Sequence, residues 1–295
     1  MKKILVTGAS GQVGQELQVL AQALTDWTFL FTDVEKLDIT NREMVAEFFG
    51  KHQPDFCFNC AAYTAVDKAE SEQELANRIN KEGAAYLAEA CQANGTFLVQ
   101  LSTDYVYHND CNRPLVETDP TTPQGVYAAT KLGGDLAVLE SGADAIVIRT
   151  SWVYSSFGHN FVKTMIRLGA ERDALRIIFD QVGTPTYARD LAQAMLQVAE
   201  QVAGGQKDIA QIRGIYHYSN EGVTSWFDFA QAIFELCQID CQIEAIETKD
   251  YPTPASRPSY SLLNKAKIKS TFGIGIPHWR DGLQRCLKAL QVVAE

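Results

Sequence analysis

Apolar and polar positions follow two different periods over the first half of the chain. Short runs rich in β-branched and aromatic residues predict strands over residues 3–7, 28–32, 55–59, 97–102 and 145–149. Between these runs, apolar residues recur at helical spacing and predict helices that begin near Gln12, Arg42, Glu72 and Val126. This alternation is typical of βαβ units, and we therefore expect a parallel sheet with right-handed crossovers.

The pattern becomes less regular after residue 149. Helices are predicted over residues 161–169, 189–202 and 225–236 and from Trp279 onward, with a strand over 215–219 and a proline-rich stretch over 251–258. The expected fold class is α/β, a Rossmann-like doubly wound parallel sheet with a smaller mixed α/β C-terminal substrate lobe. We assign residues 1–151 and 187–219 to the dinucleotide-binding domain, and residues 152–186 and 220–295 to the substrate-binding lobe.

Composition and charge limit the partners that this chain can take. Its 295 residues are 46% hydrophobic and 21% charged, which is ordinary globular usage, and 26 basic against 36 acidic residues give a net charge of −10. Because sequence-independent nucleic-acid binding relies on clustered basic side chains, we expect no nucleic-acid partner. An anionic small molecule must instead be held by a local site.

The sequence favours a cytoplasmic protein with no membrane partner. No apolar stretch reaches the roughly 20 residues that a membrane span needs, and the apolar run near the start is too short for a signal peptide. Seven cysteines, an odd number, fit reduced thiols better than a disulfide framework. Cys57 and Cys60 lie in an apolar run over residues 56–62 that we interpret as a buried strand, so we assign them no metal or redox role.

Three glycines lie between the first predicted strand and the first predicted helix. Gly8, Gly11 and Gly14 form a Gly-x-x-Gly-x-x-Gly loop, in which glycine permits a tight turn and the helix N-terminus offers free N–H groups to a pyrophosphate. Asp33 ends the second strand, where an acidic side chain accepts hydrogen bonds from the adenosine ribose. The spacing therefore predicts a nicotinamide dinucleotide, and Asp33 alone favours NAD over its 2′-phosphorylated form.

A tyrosine and a lysine follow on one face of a predicted helix. Tyr127 and Lys131 are four residues apart, so a lysine ammonium lies one turn from the phenol, where it stabilises the phenolate and lowers the phenol pKa. Thr103 ends the preceding strand, at the sheet edge where ligands bind in doubly wound folds. We expect Thr103 to hold a substrate oxygen that Tyr127 protonates.

The motifs together resemble a known family. Besides the glycine loop, Thr103 and the Tyr-x-x-x-Lys pair, the chain contains characteristic segments, in order, over residues 59–70, 102–107, 149–154, 160–165, 180–186 and 257–258. The first features resemble the extended short-chain dehydrogenase/reductase superfamily, and the full set resembles its dTDP-4-dehydrorhamnose reductase family. The resemblance implies that NADPH or NADH reduces the C4 keto group of dTDP-4-dehydro-L-rhamnose, giving dTDP-L-rhamnose for bacterial surface polysaccharide.

The resemblance also implies a role for each matching residue. Tyr127 is the expected proton donor, Lys131 orients the nicotinamide ribose and lowers the Tyr127 pKa, and Thr103 bonds the carbonyl oxygen. The implied cofactor contacts are Gly8, Ser10, Gly11, Gln12, Val13, Gly14, Asp33, Asp38, Ile39, Ala61, Ala62, Tyr63 and Thr64, together with Tyr127 and Lys131. The implied substrate contacts are Thr103, Asp104, Trp152 and, at the diphosphate or nucleotide, Arg257.

The sequence departs from the family at one metal site. Some members dimerise through a magnesium ion held by three acidic positions, which match Glu16, Arg189 and Ala289 here, with Asp190 one residue from the second. We therefore expect no bound metal, no magnesium-bridged dimer, and a monomer or weak homodimer. The family also uses either nicotinamide cofactor, which leaves the preference between NADPH and NADH open.

Two other functions remain open from the sequence. The first is another nucleotide-sugar enzyme, an epimerase or a dehydratase, although dehydratases carry an acidic pair after the catalytic threonine and Tyr105 follows Asp104 here. The second is a non-catalytic regulatory subunit of the methionine adenosyltransferase type, which has no need of the catalytic tyrosine that this chain retains.

Several further residues have structural interpretations. Trp226, Phe227 and Phe229 are predicted to belong to the core of the C-terminal lobe, because aromatic residues dominate core burial. None of the five histidines shows metal-ligand spacing, and none is assigned to a site. The acidic and basic residues over 67–70 stay open between a solvated helix start and a substrate contact.

Overall fold

The computed structural model describes residues 1–108 and 111–293. Residues 109, 110, 294 and 295, which the sequence analysis included in the two predicted domains, lie outside the described part. The first half of the chain forms, in order, β1 (Lys2–Thr7), α1 (Gln12–Ala21), β2 (Trp27–Thr32), α2 (Arg42–His52), β3 (Phe56–Asn59), α3 (Val66–Ala69), α4 (Gln73–Asn77), α5 (Gly83–Asn94), β4 (Phe97–Thr103), α6 (Val126–Glu140) and β5 (Ala145–Thr150). The second half forms β6 (Val153–Tyr154), α7 (Phe161–Glu171), β7 (Ala174–Ile178), β8 (Val182–Gly183), β9 (Thr186–Tyr187), α8 (Ala188–Ala203), α9 (Ile209–Ile212), β10 (Gly214–His217), β11 (Thr224–Ser225), α10 (Trp226–Cys237), β12 (Gln242–Ile246), α11 (Ala266–Phe272) and α12 (Trp279–Ala289).

A six-stranded parallel sheet in the order β10–β5–β4–β3–β1–β2 forms the centre of the molecule. The chain places β2 on one side of β1 and β3 on the other, so the strand order reverses next to β1, where open α/β sheets bind ligands. The predicted α/β class and doubly wound sheet are confirmed. The predicted strand over 56–62 is too long, because the chain leaves the sheet after Asn59.

Apolar side chains cover both faces of this sheet. On one face, Leu17 of α1 and Met195 of α8 are fully buried in a cluster with Ile4 of β1. On the other face, Leu87 of α5 is fully buried in a second cluster, with Leu5 of β1. Because neighbouring residues of each strand are buried on opposite faces, the strands appear in the sequence as continuous apolar runs.

The C-terminal part has a core of its own, where α7, α10 and α12 contribute to a cluster that contains Phe229, Ile233 and Leu283. The sequence did not predict β7 and β12, which pair with each other in parallel. In contrast, Ile268 and Phe272 of α11 belong to the cluster on the central sheet, so this segment of the predicted substrate lobe packs against that sheet. Within the described ranges, no helix is long and apolar enough to cross a membrane.

Candidate active site

A cavity of about 990 Å³ lies beyond the carboxyl ends of the central strands, beside the reversal of strand order. Most of the residues that the sequence assigned to cofactor and substrate line it: Gly8, Ser10, Gly11, Gln12, Val13, Asp33, Asp38, Ile39, Ala61, Ala62, Thr64, Thr103, Asp104, Tyr127, Lys131 and Trp152. Gly14, Tyr63 and Arg257 are not part of the described wall. The long-range folding of the chain therefore brings sixteen predicted residues into one concave site.

The glycine loop packs closely on neighbouring backbone at two of its glycines, where no side chain would fit. Gly8 has a φ of +65°, and a Cβ there would lie 2.7 Å from the backbone of Ala61. A Cβ on Gly14 would lie 2.4 Å from the carbonyl oxygen of Gly8, so Gly14 permits the close packing of α1 on the loop instead of lining the cavity. Since no side chain caps the first turn of α1, its N–H groups are available to a pyrophosphate.

Asp33 holds the glycine loop as well as facing the cavity. Its carboxylate accepts a hydrogen bond from the amide of Ser10 at 2.9 Å, and Asp33 itself lies on the cavity wall at the end of β2. Nearby, Asp38 accepts hydrogen bonds from the amide and the hydroxyl of Thr40. These contacts fix two carboxylates at the end of the cavity where the sequence predicts the adenosine.

Tyr63 does not line the cavity but forms hydrogen bonds behind its wall. Its amide donates to the Asn80 side chain at 2.8 Å, and its hydroxyl donates to Glu72 at 2.7 Å. Asn80 lies in a π-helical turn over Arg78–Glu82, between α4 and α5, and its side-chain amide also contacts Thr130 of α6. Tyr63 therefore links the loop after β3 to the helix that carries Tyr127, although its own side chain does not line the cavity.

A chain of polar side chains connects the strand ends under the cavity. The Thr7 hydroxyl donates to Asn59 at 2.6 Å, Asn59 donates to Gln100 at 2.7 Å, and Gln100 donates to the Leu101 carbonyl at 2.9 Å. The Lys131 ammonium donates to the same Leu101 carbonyl at 2.7 Å. Lys131 is therefore held against β4 by hydrogen bonds that reach across β1, β3 and β4.

Tyr127, Lys131 and Thr103 come together at the cavity, and the pKa of Tyr127 is raised, not lowered as expected. Burial raises it to about 12, opposed by a hydrogen bond with Thr103. The Lys131 ammonium donates to the Leu101 carbonyl, and burial lowers the pKa of Lys131. The phenol is consequently in its neutral, proton-donating form at neutral pH.

Asp104 is a buried carboxyl group in direct contact with Thr103. The Thr103 hydroxyl donates to Asp104 at 3.1 Å, and the amide of Tyr105 donates to the Thr103 hydroxyl oxygen at 3.2 Å. Burial raises the pKa of Asp104 to about 6, opposed by hydrogen bonds to its carboxylate. Asp104 is therefore ionised at neutral pH and orients the hydroxyl of Thr103.

Two stacked tryptophans form the opposite wall. Trp152 and Trp226 lie parallel, with ring centroids 3.7 Å apart and planes inclined by 12°. A Cβ on Gly183 would lie 3.0 Å from the Trp152 indole, so Gly183 leaves the space that this ring occupies. Trp226 packs against the lobe core, as predicted, and also lines the cavity, whereas Phe229 is fully buried in that core.

A loop from the C-terminal part reaches the glycine loop. Asn160 donates to the Gln12 side-chain oxygen at 3.0 Å, and the Gln12 amide group donates to the Val153 carbonyl at 3.3 Å. His159 in this loop lines the cavity, a position that the sequence analysis missed because a single histidine has no diagnostic spacing. The loop encloses the region predicted for the pyrophosphate.

Arg257 is not directed at the cavity. Its guanidinium forms two hydrogen bonds with the Asp67 carboxylate, at 3.1 and 2.8 Å, and donates to Thr253 and the Ala255 carbonyl. The guanidinium binds protein groups here, and the expected contact of Arg257 with the substrate diphosphate or nucleotide stays a prediction.

Glu16, the one acidic position that this chain keeps of the expected metal-site set, belongs to an ion pair. Arg189 donates to the buried carboxylate of Glu16 at 2.7 Å, and Ser155 donates to the same carboxylate at 2.6 Å. Asp190 instead binds Arg285 at 2.6 Å. Among residues 1–108 and 111–293, no three His, Cys, Asp or Glu side chains are arranged to hold a metal ion.

The doubly wound sheet, the glycine loop that opens α1, and Tyr127 and Lys131 on α6 beside Thr103 define a short-chain dehydrogenase/reductase of the extended type. The family model described as the RmlD substrate binding domain matches residues 1–292. The dTDP-4-dehydrorhamnose reductase of Aggregatibacter actinomycetemcomitans is 40% identical over 301 residues, which cover 100% of both chains. The chain belongs to the dTDP-4-dehydrorhamnose reductase family.

Solved structures of the same family have the same fold. The crystal structure of a dTDP-4-dehydrorhamnose reductase from Clostridium acetobutylicum is similar with a TM-score of 0.92 and 40% identity, covering 98% of this chain and 99% of that one. The corresponding enzyme from Bacillus anthracis, in complex with NADP, has a TM-score of 0.91 and 36% identity, covering 98% of this chain and 100% of that one.

Proposed function

We propose that this protein reduces the C4 keto group of dTDP-4-dehydro-L-rhamnose to dTDP-L-rhamnose, with NADPH or NADH as the reductant. The main support is the convergence of Tyr127, Lys131 and Thr103 on a cavity that also contains a glycine loop. Membership of a reductase family along nearly the whole chain supports the same substrate.

The cavity fits a nicotinamide dinucleotide, because the backbone around Gly8 and the open first turn of α1 leave space and N–H donors for a pyrophosphate. We propose that the loop from Gly8 to Gly14, Asp33 and the segment around Asp38 hold the cofactor, with the wall residues 61–64 beneath it. A relative solved with NADP supports use of the phosphorylated form, whereas Asp33 favours NADH on electrostatic grounds.

When bound, the reduced nicotinamide supplies a hydride to C4 of the sugar. The neutral phenol of Tyr127 then gives its proton to the oxygen of the former carbonyl group, and the Thr103 hydroxyl, which donates to Asp104 in the unliganded protein, turns to donate a hydrogen bond to that oxygen. Lys131 is fixed on the Leu101 carbonyl beside the same site. Tyr127 and Lys131 are thus positioned before substrate arrives, which lowers the entropy cost of reaching the transition state.

The substrate is proposed to bind between Asp104 and the two tryptophans. The ionised Asp104 accepts hydrogen bonds from sugar hydroxyls, and the indole rings of Trp152 and Trp226 pack on the apolar face of the deoxysugar or on the base. Tyr105, next to Asp104, is not an acid, which disfavours a dehydratase. The complete Thr103, Tyr127 and Lys131 set disfavours a regulatory subunit.

The remaining assignments are part of the same proposal. We propose that residues 1–151 and 187–219 bind the cofactor and that residues 152–186 and 220–295 supply the substrate side. A monomer or weak homodimer without a magnesium bridge is supported by the Glu16–Arg189 pair. A cytoplasmic location is supported by the odd number of cysteines, and the acidic chain disfavours nucleic-acid partners.

Product identification tests this proposal. The purified protein is incubated with dTDP-4-dehydro-L-rhamnose and NADPH that carries deuterium at the transferred position, and the product is examined by mass spectrometry and NMR. We expect dTDP-L-rhamnose with deuterium at C4. An isomerised sugar without net cofactor oxidation would support an epimerase, and cofactor binding without any turnover would support a regulatory subunit; either result would overturn the proposal.

A further inference from the structure

The short helix α3 connects the C-terminal part to the helix that carries Tyr127. We infer that Asp67, Glu70 and Arg257, which we call the α3 brace, are positioning residues that fix the first turn of α6 and with it the proton donor. This inference rests on the proposed function, since it concerns the residue proposed to protonate the substrate. None of the three residues lines the described cavity wall.

Glu70 caps α6 from outside the helix. The Val126 amide donates to the Glu70 carboxylate at 2.8 Å, and Tyr127 is the next residue of the helix. The residue before the helix, Gly125, supplies no side-chain cap, and a Cβ there would lie 2.6 Å from the Glu70 carboxylate oxygen. A carboxylate at a helix N-terminus is favourable because it satisfies a free N–H group and faces the positive end of the helix dipole.

Asp67 joins the same short helix to the C-terminal part. Two hydrogen bonds connect its carboxylate to the Arg257 guanidinium, and the Ala255 amide donates to Asp67 at 3.2 Å. Arg257 also donates to Thr253 and the Ala255 carbonyl, so it organises the turn from which it projects. Arginine and carboxylate groups form such two-point contacts with defined geometry, which suits a positioning role.

The brace reaches Tyr127 through the backbone of α6, by the hydrogen bond that the Val126 amide donates to Glu70. The Tyr127 ring is also packed edge-on by the Tyr105 ring, with centroids 5.6 Å apart.

We expect the Asp67–Arg257 pair to contribute little to global stability, which makes its positioning role measurable. The side chains of Arg257 and Asp67 are 22% and 41% exposed, and ion pairs exposed to this extent contribute little to folding. We therefore expect Asp67→Asn and Arg257→Gln to fold normally. The Arg213–Asp144 pair, which is also partly exposed and does not line the cavity, provides the matched control Asp144→Asn.

Two measurements test the inference: steady-state kinetics with dTDP-4-dehydro-L-rhamnose, and amide hydrogen exchange of the unliganded protein over residues 126–131. We expect Asp67→Asn, Arg257→Gln and Glu70→Ala to lower kcat by about tenfold or more, because small displacements of a catalytic group are costly. The same variants should exchange faster over 126–131, whereas Asp144→Asn should match the wild type in both measurements. Glu70→Gln keeps an acceptor oxygen and should retain most of the activity.

A direct role of Arg257 at the substrate diphosphate gives the opposite pattern. In that case Arg257→Gln raises KM with kcat unchanged, Asp67→Asn lowers KM by freeing the guanidinium, and exchange over 126–131 stays at the wild-type rate; this result would overturn the inference. The charge-swapped pair Asp67→Arg with Arg257→Asp should recover kcat only if the two residues act on each other. Because exchange needs no substrate, a wild type without turnover but with brace-dependent exchange would refute the proposed function alone.

Discussion

Tyr127 and Asp104 are the residues whose titration defines the working pH of the site. Burial raises the pKa of both groups, to about 12 for the phenol and to about 6 for the carboxyl. Above pH 6 the carboxylate is ionised and accepts the hydroxyl hydrogen of Thr103. Below pH 6 it becomes protonated, and this hydrogen bond loses its charged acceptor. The phenol keeps its proton until far above neutral pH.

This titration predicts the pH dependence of the reaction. We expect kcat/KM to be level through neutral pH and to fall by about tenfold per pH unit on the acid side of pH 6, since kcat/KM reports the ionisation of the free enzyme. Asp104→Asn should have lower activity but no acid limb in this range. An acid limb unchanged in Asp104→Asn would assign that ionisation to another group.

Gly8 is a second single residue with a testable role, because it determines whether the cofactor loop forms. Gly8→Ala places a Cβ 2.7 Å from the Ala61 backbone at a φ of +65°, so we expect a loss of about 2 kcal/mol in unfolding free energy from overpacking. Cofactor affinity, measured by nicotinamide fluorescence, should fall much further than that of Gly275→Ala, a position with nothing within 4 Å of an added Cβ. Equal affinities in the two variants would be inconsistent with the loop's role.

The helices α1 and α8 are joined by an ion pair between Glu16 and Arg189. The Glu16 carboxylate is completely buried and its cation, Arg189, is 29% exposed. A buried carboxylate that loses its partner is costly. The packing of the two helices therefore depends on a charge that the sequence supplies at residue 189.

Removal of this cation should destabilise the protein. We expect Arg189→Ala to lower the unfolding free energy by about 3 kcal/mol, because it leaves Glu16 unpaired inside the protein. Arg42→Ala, which breaks an exposed ion pair with Glu89, should change it by less than about 1 kcal/mol. Chemical denaturation measures both, and similar values for the two variants would contradict the assigned role of the Glu16–Arg189 pair.

The elements also differ in how far the sequence predicts them. The strands of the central sheet were predicted because both of their faces are buried, so their apolar runs are local signals. In contrast, β7 and β12 pair although their partner residues are 68 positions apart, and only Leu175, Ile177 and Ile246 in them are buried, so nothing local indicates the partner. Trp226 begins an amphipathic helix, where sequence periodicity does not distinguish a core aromatic ring from one that faces a cavity.

The complete fold determines which parts of the site the sequence could predict. The parts that follow the ends of strands were predictable, and the parts formed where segments distant in sequence meet were not. The glycine loop, Thr103 and Tyr127 follow from their order along a doubly wound sheet. Arg257 was assigned to the diphosphate or nucleotide from the family resemblance, and its pairing with Asp67, 190 residues away, was not predicted. A partner at such separation depends on the packing of the complete chain.

Subunit association is also a property of the whole molecule. Because Arg189 pairs with Glu16 at the expected metal-site position, we expect the mass in solution to be unaffected by chelator. Analytical ultracentrifugation with EDTA and with added magnesium should give the same monomer or weak dimer. A species that dissociates on EDTA addition would require a metal-bridged interface that the described residues do not provide.

The central claim is that Tyr127 protonates a sugar oxygen as the cofactor reduces the carbonyl carbon. The most direct test compares the wild type with Tyr127→Phe in initial-rate oxidation of NADPH and NADH with dTDP-4-dehydro-L-rhamnose, and measures cofactor dissociation constants for both proteins. We predict a kcat about a thousandfold lower in the variant, with cofactor binding essentially unchanged. A Tyr127→Phe variant that retains wild-type kcat would contradict the account.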